Sequence, residues 1–415
     1  MHPFTLFFAL ALAGSLVVEL WLLGRQVRAV RAHRDRVPPP FAAAIAPADH
    51  ARAADYAVAQ ARLAMAERAG AAALAAAFTV GGGIAAIDAA TLGLGLAPLS
   101  RQLATVAVFG LATTLAGLPF ETWRTFRVEA RFGFNRTTPA LFAADALKGL
   151  AVGALLFLPL AALLLWIMQR AGSAWWAWAF GAWAAFTVLV GWAWPRVIAP
   201  LFNRFRELEA GSLREGVESL ARRCGFEPRG IYVMDGSRRS AHGNAYFTGL
   251  GRSKRIVFFD TLLGTLAPAE LQAVLAHELG HYRLRHVALR LALSLAAALA
   301  GFALLAWLGR QSWFQPALGV PARTPQALLL LFLVAAPPLL FPLRPLAAAL
   351  SRRHEFDADR FAAAHADAGS LADALVKLYR DNASTLTPDP LYAAFHASHP
   401  PALARIARLA PERYA

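Results

Sequence analysis

The sequence predicts an all-α polytopic membrane protein that carries a small α+β soluble segment. Three observations predict it. Stretches near 4–23, 71–97, 103–120, 149–168, 174–194, 287–309 and 327–343 each approach the ~20 apolar residues that span a bilayer. The Lys and Arg residues gather on one side of those stretches. Between the fifth and sixth stretches lies a segment with helix-like and strand-like patterns. With 58% hydrophobic residues and a mean hydropathy of +0.45 over 415 residues, an ordinary soluble enzyme is excluded. The net charge of +15 raises nucleic acid as a partner. The basic residues, however, border the apolar runs, where they meet lipid head groups and set orientation. The lipid bilayer is therefore the expected partner, and no nucleic acid is. One cysteine, Cys224, excludes a disulfide framework and a cysteine-based zinc cage.

Each element follows in order. Phe4 to Leu23 has Met1-His2-Pro3 before it and Arg25, Arg28, Arg31, Arg34 and Arg36 after it. A cleaved signal peptide has its charges the other way round, so this reads as an uncleaved anchor with its N-terminus outside. Pro38-Pro39-Pro40 breaks the chain, and the alanine-rich 51–66 stretch reads as a helix of its own on the inner side. Gly81-Gly82-Gly83 and Asp88 interrupt the 71–97 stretch. An acid within a membrane is costly unless it faces protein or water, so Asp88 and Glu19 are expected to line an interior. Loops 121–148 and 195–286 and the tail after 343 then fall inside. The outer loops carry only Arg101, Arg170, Arg310 and Arg323 of the 41 basic residues, which is the positive-inside asymmetry. The chain thus divides into an N-terminal membrane region (1–200), a soluble segment (201–286), two further spans (287–346) and a C-terminal segment (347–415). Within the soluble segment, Leu213 to Cys224 reads as an amphipathic helix. Residues 230–234 and 255–259 read as short strands, with 244–249 as a third.

The chemistry is concentrated in His277-Glu278-Leu279-Gly280-His281. The run from Pro268 to His286 reads as a helix, with Leu271, Val274 and Leu275 at i, i+3 and i+4. Histidines at i and i+4 share a face and can grip one cation. Glu278, between them, is placed to act as a base on a water that the cation activates. A polar helix turn on the surface is the plainer alternative, but the sequence supplies the further partners that a metal site needs. A catalytic zinc takes three protein ligands and keeps one position open. Only two glutamates follow Glu278, namely Glu355 and Glu412. Glu412 lies in the terminal residues, where order is usually poor. Glu355 opens a helical stretch directly after the last span and is the better third ligand. Asp359, one turn on and on the same face, could accept the free ring N–H of a ligating histidine. The competing readings pair Glu355 with Arg352 or Arg353 and Asp359 with Arg360. His354 is a competing ligand, although it points away from the Glu355/Asp359 face.

His277 to His281, followed after two spans by Ser351-Arg352-Arg353-His354-Glu355-Phe356-Asp357-Ala358-Asp359, resembles the integral-membrane CAAX prenyl proteases, which are zinc endopeptidases with seven spans. Phe126 to Asn135, Ala199 to Asn203, Asn244 to Phe247, Arg255 to Val257 and Ser398 to Pro401 match as well, in the same order over nearly the whole chain. The resemblance implies a seven-helix intramembrane barrel around a large chamber, capped by a zincin-like α+β metallopeptidase domain. It implies one zinc per chain on His277, His281 and Glu355, with Glu278 as general base and Asp359 as the acid behind a ligand. Asn244, Ala245 and Tyr246 correspond to the edge strand along which substrate pairs backbone to backbone. His399 corresponds to a residue that reaches back towards the metal, where an imidazole stabilises the oxyanion. The implied substrate is a peptide or protein, lipidated in the family's own case. Two other functions compete with it. One is a general quality-control protease for membrane proteins. The other is a non-catalytic chaperone or carrier using the chamber, which would have no use for Glu278. The tail from Pro411 to Ala415 carries no ER-retention signal, and the Ala/Arg-rich composition suggests a bacterial source. The expectation is a bacterial-type member, multi-pass in a bacterial inner membrane, with its active site towards the cytoplasm.

Overall fold

Long helices dominate, and the sequence starts most of them in one way. In the computed structural model, which describes residues 2–227, 230–248 and 255–414, Pro3, Pro47, Pro98, Pro139, Pro268 and Pro325 each sit in a first helical turn. There the ring presets φ and the missing N–H costs nothing. Thr138 and Thr324 add side-chain caps to the N–H groups of Leu141 and Ala327. The membrane portion begins with α1 (Pro3–Ala32), α2 (Pro47–Phe78), α3 (Gly83–Leu92), α4 (Pro98–Trp123), α5 (Pro139–Arg170) and α6 (Trp175–Ala193). α4 and α6 each run on through a wider turn, over Arg124–Glu129 and Trp194–Ile198. After the soluble helices α7 (Ser212–Arg223) and α8 (Pro268–Arg283) come the spans α9 (His286–Arg310) and α10 (Pro325–Leu340). Among the described residues six helices are long and apolar enough to cross a membrane, or seven spans if α2 and α3, bent by 52°, count as one. α1 packs on α2, α3 on α4, and α4 on α5, followed by α6, α9 and α10, which returns to α1 and closes a ring.

The bend corrects one expectation. Residues 51–66 and 71–78 form a single 32-residue helix rather than two. Between Pro47 and Gly81 the only helix breaker is Gly70, and an alanine-rich stretch without proline simply continues. The break falls at Thr79–Gly82, where Gly82 takes φ 74°. Gly319 packs into it, so close that a Cβ would stand 2.2 Å from the Thr79 carbonyl oxygen. Asp88 is buried inside α3, where it accepts from Gln326 Nε2 at 2.7 Å and Thr105 Oγ at 3.3 Å. Glu19 is buried too and pairs with Arg68 at 2.7 Å and with Arg344. Both acids meet the expectation of an interior, satisfied by polar partners from other spans.

The soluble part is built on a four-stranded sheet of order β1-β2-β4-β3, with β1 Phe205–Glu207, β2 Ile231–Met234, β3 Ala245–Thr248 and β4 Arg255–Phe259. β2 and β4 run parallel, and β1 and β3 pair antiparallel on the two edges. Ile231 and Val233 of β2 and Ile256 and Phe258 of β4 share a core with Val217 and Leu220 of α7 and Leu271 and Leu275 of α8. Sequence patterning misses β1, a three-residue edge strand of mostly exposed, charged residues with no apolar alternation to mark it. Gly249, the end of the expected third strand, lies outside the described residues.

α10 passes through a tight turn at Phe341–Leu343 into α11 (Arg344–His365), so the last span runs directly into the stretch that carries Glu355. α12 (Ala368–Asp381), α13 (Pro390–His396) and α14 (Ala402–Leu409) complete the soluble part. α8 lies against α11, and Gly280 sets their separation. A Cβ there would meet Ala358 Cα and Phe361 Cβ, each at 3.1 Å. The close approach lets a carboxylate on α11 reach the histidines of α8.

Candidate metal centre

α8 starts with the Glu270 carboxylate reaching back to the Ala267 N–H at 2.7 Å while Lys377 of α12 holds its other side. Two turns further on, His277 and His281 present their Nε2 atoms 3.2 Å apart. Glu355 of α11 closes the triangle, with Oε2 3.4 Å from His277 Nε2 and Oε1 3.2 Å from His281 Nε2. A tetrahedral ion with ligand bonds of 2.0–2.1 Å has ligand-to-ligand edges of about 3.3 Å. The three sides of the triangle match that length, so the donor set fits a metal. All three side chains offer atoms within 4.8 Å of one another.

The protons agree with the distances. Asp359 Oδ1 lies 2.8 Å from His277 Nδ1. A carboxylate only accepts, so the proton sits on Nδ1 and the Nε2 lone pair is free to face an ion. Asp359 is itself gripped by Arg405 of α14 in a two-pronged pair at 2.9 and 2.6 Å. Arg405 is 5% exposed, and its Nη1 also comes to 3.9 Å from Glu355. One buried cation set against two buried carboxylates leaves excess negative charge for a metal to neutralise. His399 Nδ1 donates to Glu355 Oε2 at 2.6 Å, while 62% of its side chain remains exposed. Glu278 lines a chamber of about 860 Å³ beside the triangle. Burial pushes its carboxyl above the usual carboxylate range, against the opposing pull of His277 and His281.

Asn244 and Ala245, at the start of the edge strand β3, line the same chamber. The Tyr246 side chain turns away from it, with its hydroxyl 4.0 Å from Met234 Sδ and its ring edge-on to Phe259. Arg352 and Arg360, two of the competing partners for the acids, are engaged elsewhere. Arg360 pairs with Asp357 at 2.5 Å rather than with Asp359, and Arg352 donates to the Ala393 and Ala397 carbonyls at the end of α13. His354 is buried and stacked on His286 at 4.0 Å, away from the triangle.

Sequence reasoning missed Arg405. The signal was present in α14, whose apolar side of Ala402, Ile406 and Leu409 includes an arginine where a hydrophobic residue would be expected. It also missed a cluster whose Tyr56, His242 and Asn382 line the chamber. There Tyr56 donates to Glu129 at 2.6 Å, His242 lies 3.3 Å from the same carboxylate, and Asn382 contacts His242 and the Gly243 N–H. These residues come from four distant stretches that no spacing connects. One prediction arises from the site itself. Asp359→Asn keeps the volume and removes the charge behind His277, so zinc affinity should fall about 10–100-fold. Competition with a chromogenic chelator at fixed pH measures it. Unchanged affinity together with unchanged activity would remove Asp359 from the site.

Comparison with known proteins brings the whole chain into one frame. Residues 26–204 match the model of the CAAX prenyl protease N-terminal region with five membrane helices, and residues 207–413 match that of peptidase family M48. The CAAX prenyl protease 1 homolog of Arabidopsis thaliana is 35% identical, over 75% of this chain and 75% of its own length. The human homolog is 34% identical over 75% and 74%. The crystal structure of S. mikatae Ste24p superposes with a TM-score of 0.90 at 29% identity, covering 99% of both chains. These relatives are eukaryotic, as is the Saccharomyces cerevisiae CAAX prenyl protease 1 at 33% identity. That overturns the expectation of a bacterial-type member and, with it, of a bacterial inner membrane. The physical reason is that alanine and arginine exchange freely with other good helix formers on exposed helix faces, so their abundance carries little information about source.

Proposed function

We propose a reaction for this site on a plain premise: the chain belongs to peptidase family M48 and is a membrane-embedded metalloendopeptidase resembling the CAAX prenyl proteases. The resident metal is zinc, one per chain, on His277 Nε2, His281 Nε2 and Glu355. Two imidazoles and one carboxylate at tetrahedral spacing suit zinc, whereas calcium and magnesium call for more oxygen ligands. Zinc supplies, when bound, a Lewis acid that lowers the pKa of a water and polarises a carbonyl. Glu278 takes the proton of the attacking water and delivers it to the leaving amine. Asp359, clamped by Arg405, keeps His277 in the ligating tautomer. His399 is anchored to Glu355 through Nδ1–H, and as an imidazolium it donates Nε2–H to the developing oxyanion. The substrate peptide pairs with the free edge of β3 at Asn244, Ala245 and Tyr246, through the backbone, since the Tyr246 ring points elsewhere. A peptide with a lipidated C-terminal region is the preferred substrate. The relatives are named CAAX prenyl proteases, and this chamber is lined in part by Gln26, Tyr56 and Ala64 of α1 and α2, beside membrane spans able to shelter an apolar tail.

The observation that carries the reading is the 3.2–3.4 Å triangle of donors with Glu278 beside it. Protein purified in detergent is expected to hold about one zinc per chain. Chelation should abolish peptide cleavage and leave the far-UV helix signal intact, because lipid and helix packing hold the spans. Protein with no zinc that takes up none on titration would overturn the reading. Substrate class is tested with one peptide sequence in lipidated and unlipidated forms, and equal kcat/KM for the two would favour a broader membrane-protein peptidase.

A further inference from the structure

The two metal-facing histidines are supported unequally. His277 has the Asp359 carboxylate behind its Nδ1. His281 has another imidazole, with its Nδ1 3.0 Å from His286 Nδ1. That contact falls at a break between two helices. α8 ends at Arg283, and Arg285 takes φ 59° in the left-handed region, so α9 starts in a new direction with His286 folded back against His281. His286 is 5% exposed, and its ring lies flat on buried His354, 4.0 Å apart and 7° from parallel.

Hydrogen-bond arithmetic fixes the protons. His281 Nε2 faces His277 Nε2 and Glu355, so it must keep its lone pair to hold an ion, and its proton must be on Nδ1. Two Nδ1 atoms in contact need one donor and one acceptor. His281 therefore donates and His286 accepts, which leaves the His286 proton on Nε2. We propose that His286 is a positioning residue for the metal centre: its Nδ1 receives the His281 Nδ1–H and holds His281 in the tautomer and orientation that ligation requires, with the His354 ring keeping His286 in place. A ligating histidine usually rests on a carboxylate, a carbonyl or a water. Here a neutral imidazole takes that role, and among the described residues Asp359 is the carboxylate that contacts an Nδ1 of the histidine pair.

This inference rests on the zinc reading, and the test separates the two. Zinc affinity of the full-length protein in detergent is measured by chelator competition at fixed pH for wild type, His286→Ala, His286→Phe and His286→Asn. Asparagine places an amide oxygen where Nδ1 stood, whereas phenylalanine fills the space and offers no acceptor. His286→Ala and His286→Phe are expected to weaken zinc binding about 10–100-fold, and His286→Asn to recover most of the loss. Thermal unfolding of each variant checks that the fold is kept, and the Phe/Asn pair decides the matter if His286→Ala does not fold. Wild-type protein that takes up no zinc defeats the zinc reading itself. If wild type binds zinc and His286→Phe binds it as well as His286→Asn does, His286 is packing only and the inference falls.

Discussion

Glu278→Gln is expected to keep its zinc and lose roughly 10²–10⁴-fold in kcat, the usual worth of a positioned general base. That is about 2.7–5.5 kcal/mol of barrier. The expectation follows from where the residue stands. Glu278 lies between the two histidines in sequence, yet it belongs to the chamber wall, while Glu355 supplies the third donor of the triangle. Glutamine keeps the size and polarity and removes the ability to carry a proton. Metal content and single-turnover cleavage, measured on the same preparation, separate loss of chemistry from loss of the ion. A variant that turns over at the wild-type rate would take Glu278 out of the reaction.

Glu355→Ala should do the reverse: the protein loses the metal first and its activity as a consequence. The side chain is 3% exposed, touches both Nε2 atoms and accepts from His399 at 2.6 Å. Its removal breaks three contacts together and, among the described residues, leaves Arg405 paired with Asp359 alone. We expect zinc content well below one per chain after dialysis, and no measurable cleavage at micromolar zinc. If Glu355→Ala retained zinc while Glu278→Gln lost it, the two glutamates would have to exchange roles.

Much of this was legible in the sequence, and the reasons differ from part to part. The spans could be read because hydrophobic length is a local property. His277 and His281 could be read because a helix fixes what lies at i and i+4, and Glu355 because so few glutamates follow them. The continuity of α2 across 66–71 escaped because hydrophobic length marks where a span begins, not where a helix does, and nothing between Pro47 and Phe78 but Gly70 weakens the helix. Arg405 and the His242–Glu129–Tyr56 cluster escaped because their partners come from other parts of the chain. His286 escaped for a subtler reason. On an unbroken helix of 3.6 residues per turn, a residue five positions after His281 points well away from it. Only the left-handed backbone of Arg285 brings the two rings together, and arginine is not a residue that announces such a conformation.

The path of the chain from α8 through two spans into α11 has a consequence for biosynthesis. His277 and His281 leave the ribosome well before Glu355, which lies 78 positions after His277. At roughly 5–20 residues per second the interval is about 4–16 s. Through that interval the nascent protein holds two of the three side chains of the triangle, and the third arrives only after α9 and α10. His399 and Arg405 come later still. A chain interrupted anywhere in this interval therefore lacks Glu355, and the three-residue cluster closes only once the two spans between have been made.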